Sequence, residues 1–446
     1  MSIRLDSLNK DILRLSIPAI LSNITVPLLG LCDIAISGHL GSELFLAAIA
    51  VGTVMLNTVF WMFGFLRGGT TGLTAVALGG NDEDEVAKVL FRASFIALAG
   101  GILLFAFQSP LFSLLKFISA PGEEIENLVE SYFRIRIWGS PALLGTMVIS
   151  GWFVGMQSTL YPMIIAIAMN IINIAVSFIL VYPCDWGFAG VAYGTLISNW
   201  AGLVIGILCI ILFRKGKPLR LHIRSLFKCG LWKYFAVNGN LFIRSFFIIC
   251  VTMGVTAAGA RLGSLTLAIN AVGMQFFQFF SFFMDGFAFS GEALIGLRLG
   301  EKNMGMLHKS VKRLLGWTTV TAVIFTLTYL FGTDPITSLL TDSEEVRTGV
   351  GSILLFIVLI PFTSCWAFIF DGFYIGITDT GRMMISTFIG ALIFFLLAFV
   401  SYGKTGISAG VSENPMIWAG FLGYLLARGI YLGVSWKSAV SIKQLS

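Results

Sequence analysis

Nine charged side chains fall inside long apolar runs of this chain: Asp33, Arg67, Arg134, Arg136, Arg244, Asp285, Glu292, Asp371 and Arg428. An unpaired charge in such surroundings is costly, so each of these groups must be paired, hydrated or used. The chemistry open to them is reversible binding of a proton or a cation. Asp33 is the one ionisable group of the first run, residues 15–37. An aspartate near the middle of an apolar span costs roughly 2.5–3.5 kcal/mol on insertion scales. Burial disfavours its charged form, which makes Asp33 a candidate for taking up and releasing a proton. Pro18 and Pro27 precede it by fifteen and six residues. Pro27 denies the Asn23 carbonyl its helical amide. Pro18 does the same to Arg14 if the helix begins as early as Ser7, and is harmless if it begins near Leu15. A titrating group beside weakened turns reads as a proton-driven switch. A structural aspartate with two fixed kinks is the other reading, and the residues alone leave both open.

Such an acid needs partners that can bond it in either protonation state. Asn170 and Asn173 stand three apart in the fifth run and share a helical face, which Ser177 continues; Thr195 and Asn199 offer a similar face in the sixth. In the second half, Asp285 and Glu292 are seven apart on one face, and with Arg244 and Asp371 they make up a polar network for which structural ion pairing is the first reading. Arg134, Arg136 and Arg428 lie near the ends of their runs and are expected to reach the membrane surface. The stretch FFQFFSFFMDGFAF at 276–289 supplies aromatic surface that suits amphiphilic or cationic guests, although most such rings pack between helices or face lipid.

Other chemistries lack their residues. There is no GxxxxGK[ST] phosphate loop, no GxSxG elbow and no HExxH pair. The six cysteines and three histidines are scattered without ligand spacing. Neither an enzyme, a metal nor an organic cofactor is expected; the coupling ion would be H⁺, with Na⁺ as the alternative. A net charge of +6 raises the question of nucleic acid, but the basic residues fall in loops between apolar runs, so no nucleic-acid partner is expected.

The elements that must position these groups follow from composition. Hydrophobic residues make up 57% of the 446, charged residues 12%, and mean hydropathy is +0.90. A water-soluble surface cannot be built from so few polar groups. The chain reads as an all-α integral membrane protein with twelve spans, at 15–37, 44–79, 87–115, 125–153, 161–182, 187–213, 233–259, 265–298, 309–333, 347–375, 381–403 and 413–435. The polar lead MSIRLDSLNK carries no cleavable signal pattern. With the N-terminus inside, cytoplasmic segments collect twenty Lys and Arg against four outside, which sets both termini in the cytoplasm. The expected division is a first lobe at 1–213 with helices one to six, a basic cytoplasmic linker at 214–232, and a second lobe at 233–446 with helices seven to twelve.

The halves repeat one another. HLGSELFLAAIAVG at 39–52 aligns with RLGSLTLAINAVG at 261–273, LGGND at 78–82 with LGEKN at 299–303, Pro141 with Pro361, and FVGMQST at 153–159 with YIGITDT at 374–380, all at a nearly constant spacing along the chain. Six spans per half enter the membrane the same way up, as in parallel-repeat transporters. Duplicated bundles of this kind point to transport.

SNITVPLLGLCDIAISGHLG at 22–41, GNDEDE at 80–85, MNIINIAVSFIL at 169–180 and FYIGITDTGRMM at 373–384 resemble the multidrug and toxic compound extrusion (MATE) family. The first of these and MDGFAFSGEA at 284–293 look most like its DNA-damage-inducible protein F branch. The resemblance covers essentially the whole chain. It implies a twelve-helix antiporter of two pseudo-symmetric six-helix lobes in a V-shaped arrangement, exporting organic cations and other amphiphiles in exchange for H⁺ or Na⁺. It also implies that Asp33 is the proton-binding acid, that the first helix bends at Pro18 with Pro27 as a second weak point, and that Asn173 and Thr195 support the acid. Where the family pattern often carries a second aspartate, four residues after that asparagine, this chain has Ser177. Asp33 then carries protonation alone or shares coupling with Asp371, which resembles the acid of the tenth helix in other branches. The expected protein is a proton-coupled multidrug exporter of a bacterial inner membrane, working on small amphiphilic or cationic substrates as a monomer in the lipid bilayer. The rival readings are a Na⁺-coupled exporter using Asp371, a lipid or lipid-linked oligosaccharide flippase, and an intramembrane enzyme.

Overall fold

A computed structural model describes residues 7–38, 42–215, 231–403 and 414–445; within these, the side chains of 26–29, 31, 33–35, 37, 231–235, 399–403 and 445 lie outside the description. The described residues form sixteen α-helices and no strand. In the first half these are α1 (Ser7–Gly38), α2 (Glu43–Met62), α3 (Phe65–Gly79), α4 (Glu83–Ala106), α5 (Gln108–Ser119), α6 (Glu123–Arg136), α7 (Ser140–Gly155), α8 (Leu160–Val181) and α9 (Gly187–Phe213). The second half contains α10 (Leu231–Arg261), α11 (Ser264–Gly300), α12 (Met304–Leu340), α13 (Glu344–Val350), α14 (Leu354–Gly376), α15 (Thr380–Gly403) and α16 (Asn414–Leu445).

Among the described residues, eleven helical segments are long and apolar enough to cross a membrane, and they coincide with the second to twelfth expected spans. The first expected span lies inside α1. Three crossings are built from two pieces each: α2 with α3, α6 with α7, and α13 with α14. Pro141 starts α7, where a missing N–H leaves no helical bond unmade. Its repeat partner Pro361 instead falls inside α14. The last helix runs past its expected end at 435 as far as Leu445, because Trp436, Ala439 and Val440 are buried there.

Two compact units result: Ile17–Tyr234, and Met1–Ser16 with Phe235–Ser446. Residues 7–16, assigned by chain order to the first lobe, thus pack with the second. Leu8, Ile12, Leu15 and Ser16 are buried. The Ser16 and Ser290 hydroxyls share a hydrogen bond of 2.7 Å, and the Trp317 indole donates to Asn9 Oδ1 at 3.2 Å. Helix α1 therefore belongs to both units, and the division falls just before Pro18.

The backbone carries the same repeat. Left-handed residues follow helix ends at Asn81 and at its counterpart Lys302, and again at Gln157 and its counterpart Thr378. Asp82 and Asn303 both cap the helix that comes next through a side-chain oxygen. A Cβ on Gly151 would lie 2.3 Å from the Arg67 carbonyl oxygen, and one on Gly372 2.4 Å from that of Ala288. Each half therefore brings two helix backbones into near contact at the same place. The phenylalanine-rich face of α11 is split: Phe276, Phe280, Met284 and Phe287 are buried in the second-half core, while Phe279 is exposed.

Candidate functional site

In the first-half unit, α8 and α9 enclose a buried polar cluster. Asn173, Ser177, Thr195, Ser198 and Asn199 are all at most 5% exposed. The close approach is made by glycine: a Cβ on Gly194 would fall 2.0 Å from Ser177 Oγ. The Thr195 hydroxyl donates to the Val191 carbonyl at 3.2 Å, so its lone pair accepts from Asn173 Nδ2 at 2.9 Å. That chain of bonds fixes the amide orientation and leaves Asn173 Oδ1 aimed elsewhere. Among the described residues, neither Asn173 Oδ1 nor Ser177 Oγ has a hydrogen-bond partner. Buried polar atoms left in this way are rare in folded proteins.

Helix α1 runs alongside. Asn170 Nδ2 donates to the Thr25 carbonyl at 3.2 Å, and the Tyr182 hydroxyl to the Ile36 carbonyl at 3.2 Å. Both numbers rise together, so α1 and α8 run parallel along this stretch. Asp33 lies eight residues beyond Thr25, which sets its backbone level with Ser177 and Phe178, about 6 to 8 Å along the axis from Asn173 at roughly 1.5 Å per residue. The side chains of Asp33 and Pro27 are outside the described residues. Because α1 begins at Ser7, Pro18 is an interior proline, and the harmless first-turn alternative is removed.

The second-half unit holds a different constellation. Asp371 Oδ2 accepts from both Arg244 and Arg428, and Arg428 Nη1 donates to the Tyr424 hydroxyl at 2.9 Å. Arg428 is buried rather than at the surface, since α16 extends far beyond it, and its guanidinium stands over the Tyr424 ring. Two guanidiniums on one carboxylate leave the group net positive, a poor setting for a further cation. Asp285 is half-buried and Glu292 buried on α11; the ion pairs made by Asp371 run to the two arginines. Arg136 also departs from expectation: it is buried, donating to the Tyr132 hydroxyl at 2.8 Å. Arg134 does stay exposed, paired with Glu130. Half-buried Arg67 lies on α3. Sequence reasoning missed Tyr424 and Tyr132, each four residues before its arginine, a spacing at which the two side chains meet on one face.

The MatE family model matches residues 18–179 and 241–400, one match in each half. The chain belongs to the MatE family. Its members are membrane transporters, not enzymes, so this chain is a multi-pass efflux transporter for small molecules in a lipid bilayer. Across 438 residues it is 31% identical to DNA damage-inducible protein F of Escherichia coli K12, covering 97% of this chain and 93% of that one. It is 24% identical to "Probable multidrug resistance protein NorM" of Xylella fastidiosa 9a5c, over 96% of this chain and 91% of that protein. A solved MATE crystal structure in the bent conformation has the same fold, with a TM-score of 0.85 at 18% identity over 99% of this chain and 98% of the other.

Proposed function

We propose that this MatE transporter exports amphiphilic or cationic organic compounds in exchange for protons, with Asp33 as the proton-binding group. One observation carries the reading: the orphaned Asn173 Oδ1 on α8, beside the stretch of α1 that holds Asp33. An amide oxygen only accepts, so it bonds a protonated carboxyl and repels a carboxylate. The Ser177 hydroxyl can donate to the charged form or accept from the neutral one. The pair therefore distinguishes the two states of a single acid without a second carboxylate. Proton uptake would exchange one bonding pattern for the other and change how α1 sits against α8. Pro18 supplies the weak turn at which α1 bends, with Pro27 contributing, because neither can complete the helical hydrogen bond four residues back. Bending would change how α1 lies against α8 and release the substrate. The Lys and Arg distribution supports insertion in a bacterial inner membrane with both termini cytoplasmic.

The two guanidiniums that already hold Asp371 weigh against Na⁺ coupling through that acid. Purified protein in liposomes, loaded with a fluorescent organic cation, separates the two ions. A pH gradient alone should drive exchange, and a Na⁺ gradient at equal pH should not. Exchange driven by Na⁺ alone would overturn proton coupling.

A further inference from the structure

The first-half unit carries a groove of about 870 Å³ between α9 and the turn at residues 137–139 that joins α6 to α7. On α9, Tyr193, Ile197, Trp200 and Val204 line it. They recur every three or four positions and so share one face, about 16 Å long at roughly 1.5 Å per residue. Arg134 and Trp138 form the opposite wall. Two glycines bring α7 against α9 beside the groove: a Cβ on Gly139 would lie 2.8 Å from Asn199 Nδ2, and one on Gly145 2.9 Å from Leu203 Cδ1. Neighbouring rings steady both walls. Trp138 packs on Phe105 with ring centroids 4.1 Å apart, and Tyr193 on Trp186 at 5.3 Å. Trp138, Trp200 and Val204 are nevertheless 45–56% exposed. Tryptophan and tyrosine favour the depth at which apolar and wet surroundings meet.

Arg134 is the charged member of the lining. Its Nε donates to Glu130 Oε1 at 2.7 Å, and its Nη2 lies 2.6 Å from the same oxygen. Arg134 Nη1 and Glu130 Oε2 make no hydrogen bond among the described residues. The pair is therefore neutral as a whole, yet keeps one donor and one acceptor unused. Beyond Val204 the exposed face of α9 is apolar through Ile207, Leu208, Ile211 and Leu212. Both signs of charge thus stand at one end of an aromatic groove that leads into hydrocarbon.

We infer that this groove is a binding site for a zwitterionic phospholipid with a primary ammonium, its phosphate on Arg134, its ammonium on Glu130 and an acyl chain along Trp200 and Val204. A guanidinium suits a phosphate oxygen, and an ammonium brings three donors to a carboxylate. A lipid with phosphate alone would set its charge against Glu130, and an organic cation would meet the like charge of Arg134. The site rests on the membrane assignment and not on proton coupling, so it stands or falls separately from the role of Asp33.

Native mass spectrometry of the full chain, titrated with phosphatidylethanolamine, phosphatidylglycerol or diacylglycerol, reads occupancy directly. Phosphatidylethanolamine should bind at a discrete stoichiometry and the other two several-fold more weakly. Arg134→Gln should weaken it about fivefold. Glu130→Gln, which removes the partner of the ammonium, should weaken phosphatidylethanolamine but not phosphatidylglycerol. Ala201→Phe keeps both charges but fills the groove, and should cost several-fold, while Lys116→Gln outside the groove should change nothing. Diacylglycerol or phosphatidylglycerol binding as tightly as phosphatidylethanolamine would overturn the site, as would an equal loss in Lys116→Gln. So would displacement of the lipid by tetraphenylphosphonium with tighter binding of that cation in Arg134→Gln, since the groove would then serve an organic cation.

Discussion

A buried amide with one end satisfied and the other not is a strong constraint on what its neighbour can be. Asn173 donates one amide hydrogen to Thr195 and keeps an acceptor in reserve. Asn173→Ala should lower stability by about 1–2 kcal/mol in thermal unfolding and cut proton-driven transport about tenfold in liposomes; a variant transporting at full rate would separate Asn173 from coupling. Arg428 belongs to the opposite category. Breaking a buried ion pair by removing one partner costs about 3–5 kcal/mol, so Arg428→Leu should lower thermal stability sharply. Arg134→Leu breaks only an exposed pair with Glu130 and should cost under about 1 kcal/mol. Equal losses in the two would show that the Asp371 network contributes no more than a surface contact.

At the scale of elements, glycines and prolines decide how close and how straight the helices are. Gly151→Ala and Gly372→Ala each push a methyl onto a backbone oxygen of the neighbouring helix, an overpacking that costs about 1–3 kcal/mol apiece. Gly239→Ala meets open space and should be neutral or slightly stabilising; thermal unfolding of the three in one detergent makes the comparison. Pro18→Ala should slow transport more than Pro27→Ala, because Pro18 adjoins the point at which α1 passes from one unit to the other. Full transport rates in both would discard the bend. The spans and the repeat were legible because apolar runs and turn residues recur at a fixed spacing. The burial of Arg428 was not, since hydropathy falls at 435 although α16 continues to Leu445. Nor was Arg136, whose partner Tyr132 shares its own helix but whose burial depends on α2. The Asn170, Asn173, Ser177 face could be read from spacing alone; the orphaned atoms could not, because satisfaction depends on contacts with other helices.

Across the whole molecule, duplication supplied the scaffold and divergence the chemistry. In the register of the repeat, Asp33 falls on Gly254, Asn173 on Phe394, Asp371 on Ser150 and Arg428 on Ile207. Each half thus keeps a polar constellation that the other lacks: a neutral amide and hydroxyl cluster in one, a locked ion-pair network in the other. On the proposed reading a single acid in one half couples the cycle, its protonation being what releases the substrate. Substrate-loaded, detergent-solubilised protein shifted from alkaline to acidic pH tests this most directly. Release on acidification by the native chain, and retention by a folded Asp33→Asn variant at both pH values, is the predicted result. Acid-driven release that persists in Asp33→Asn would contradict the account.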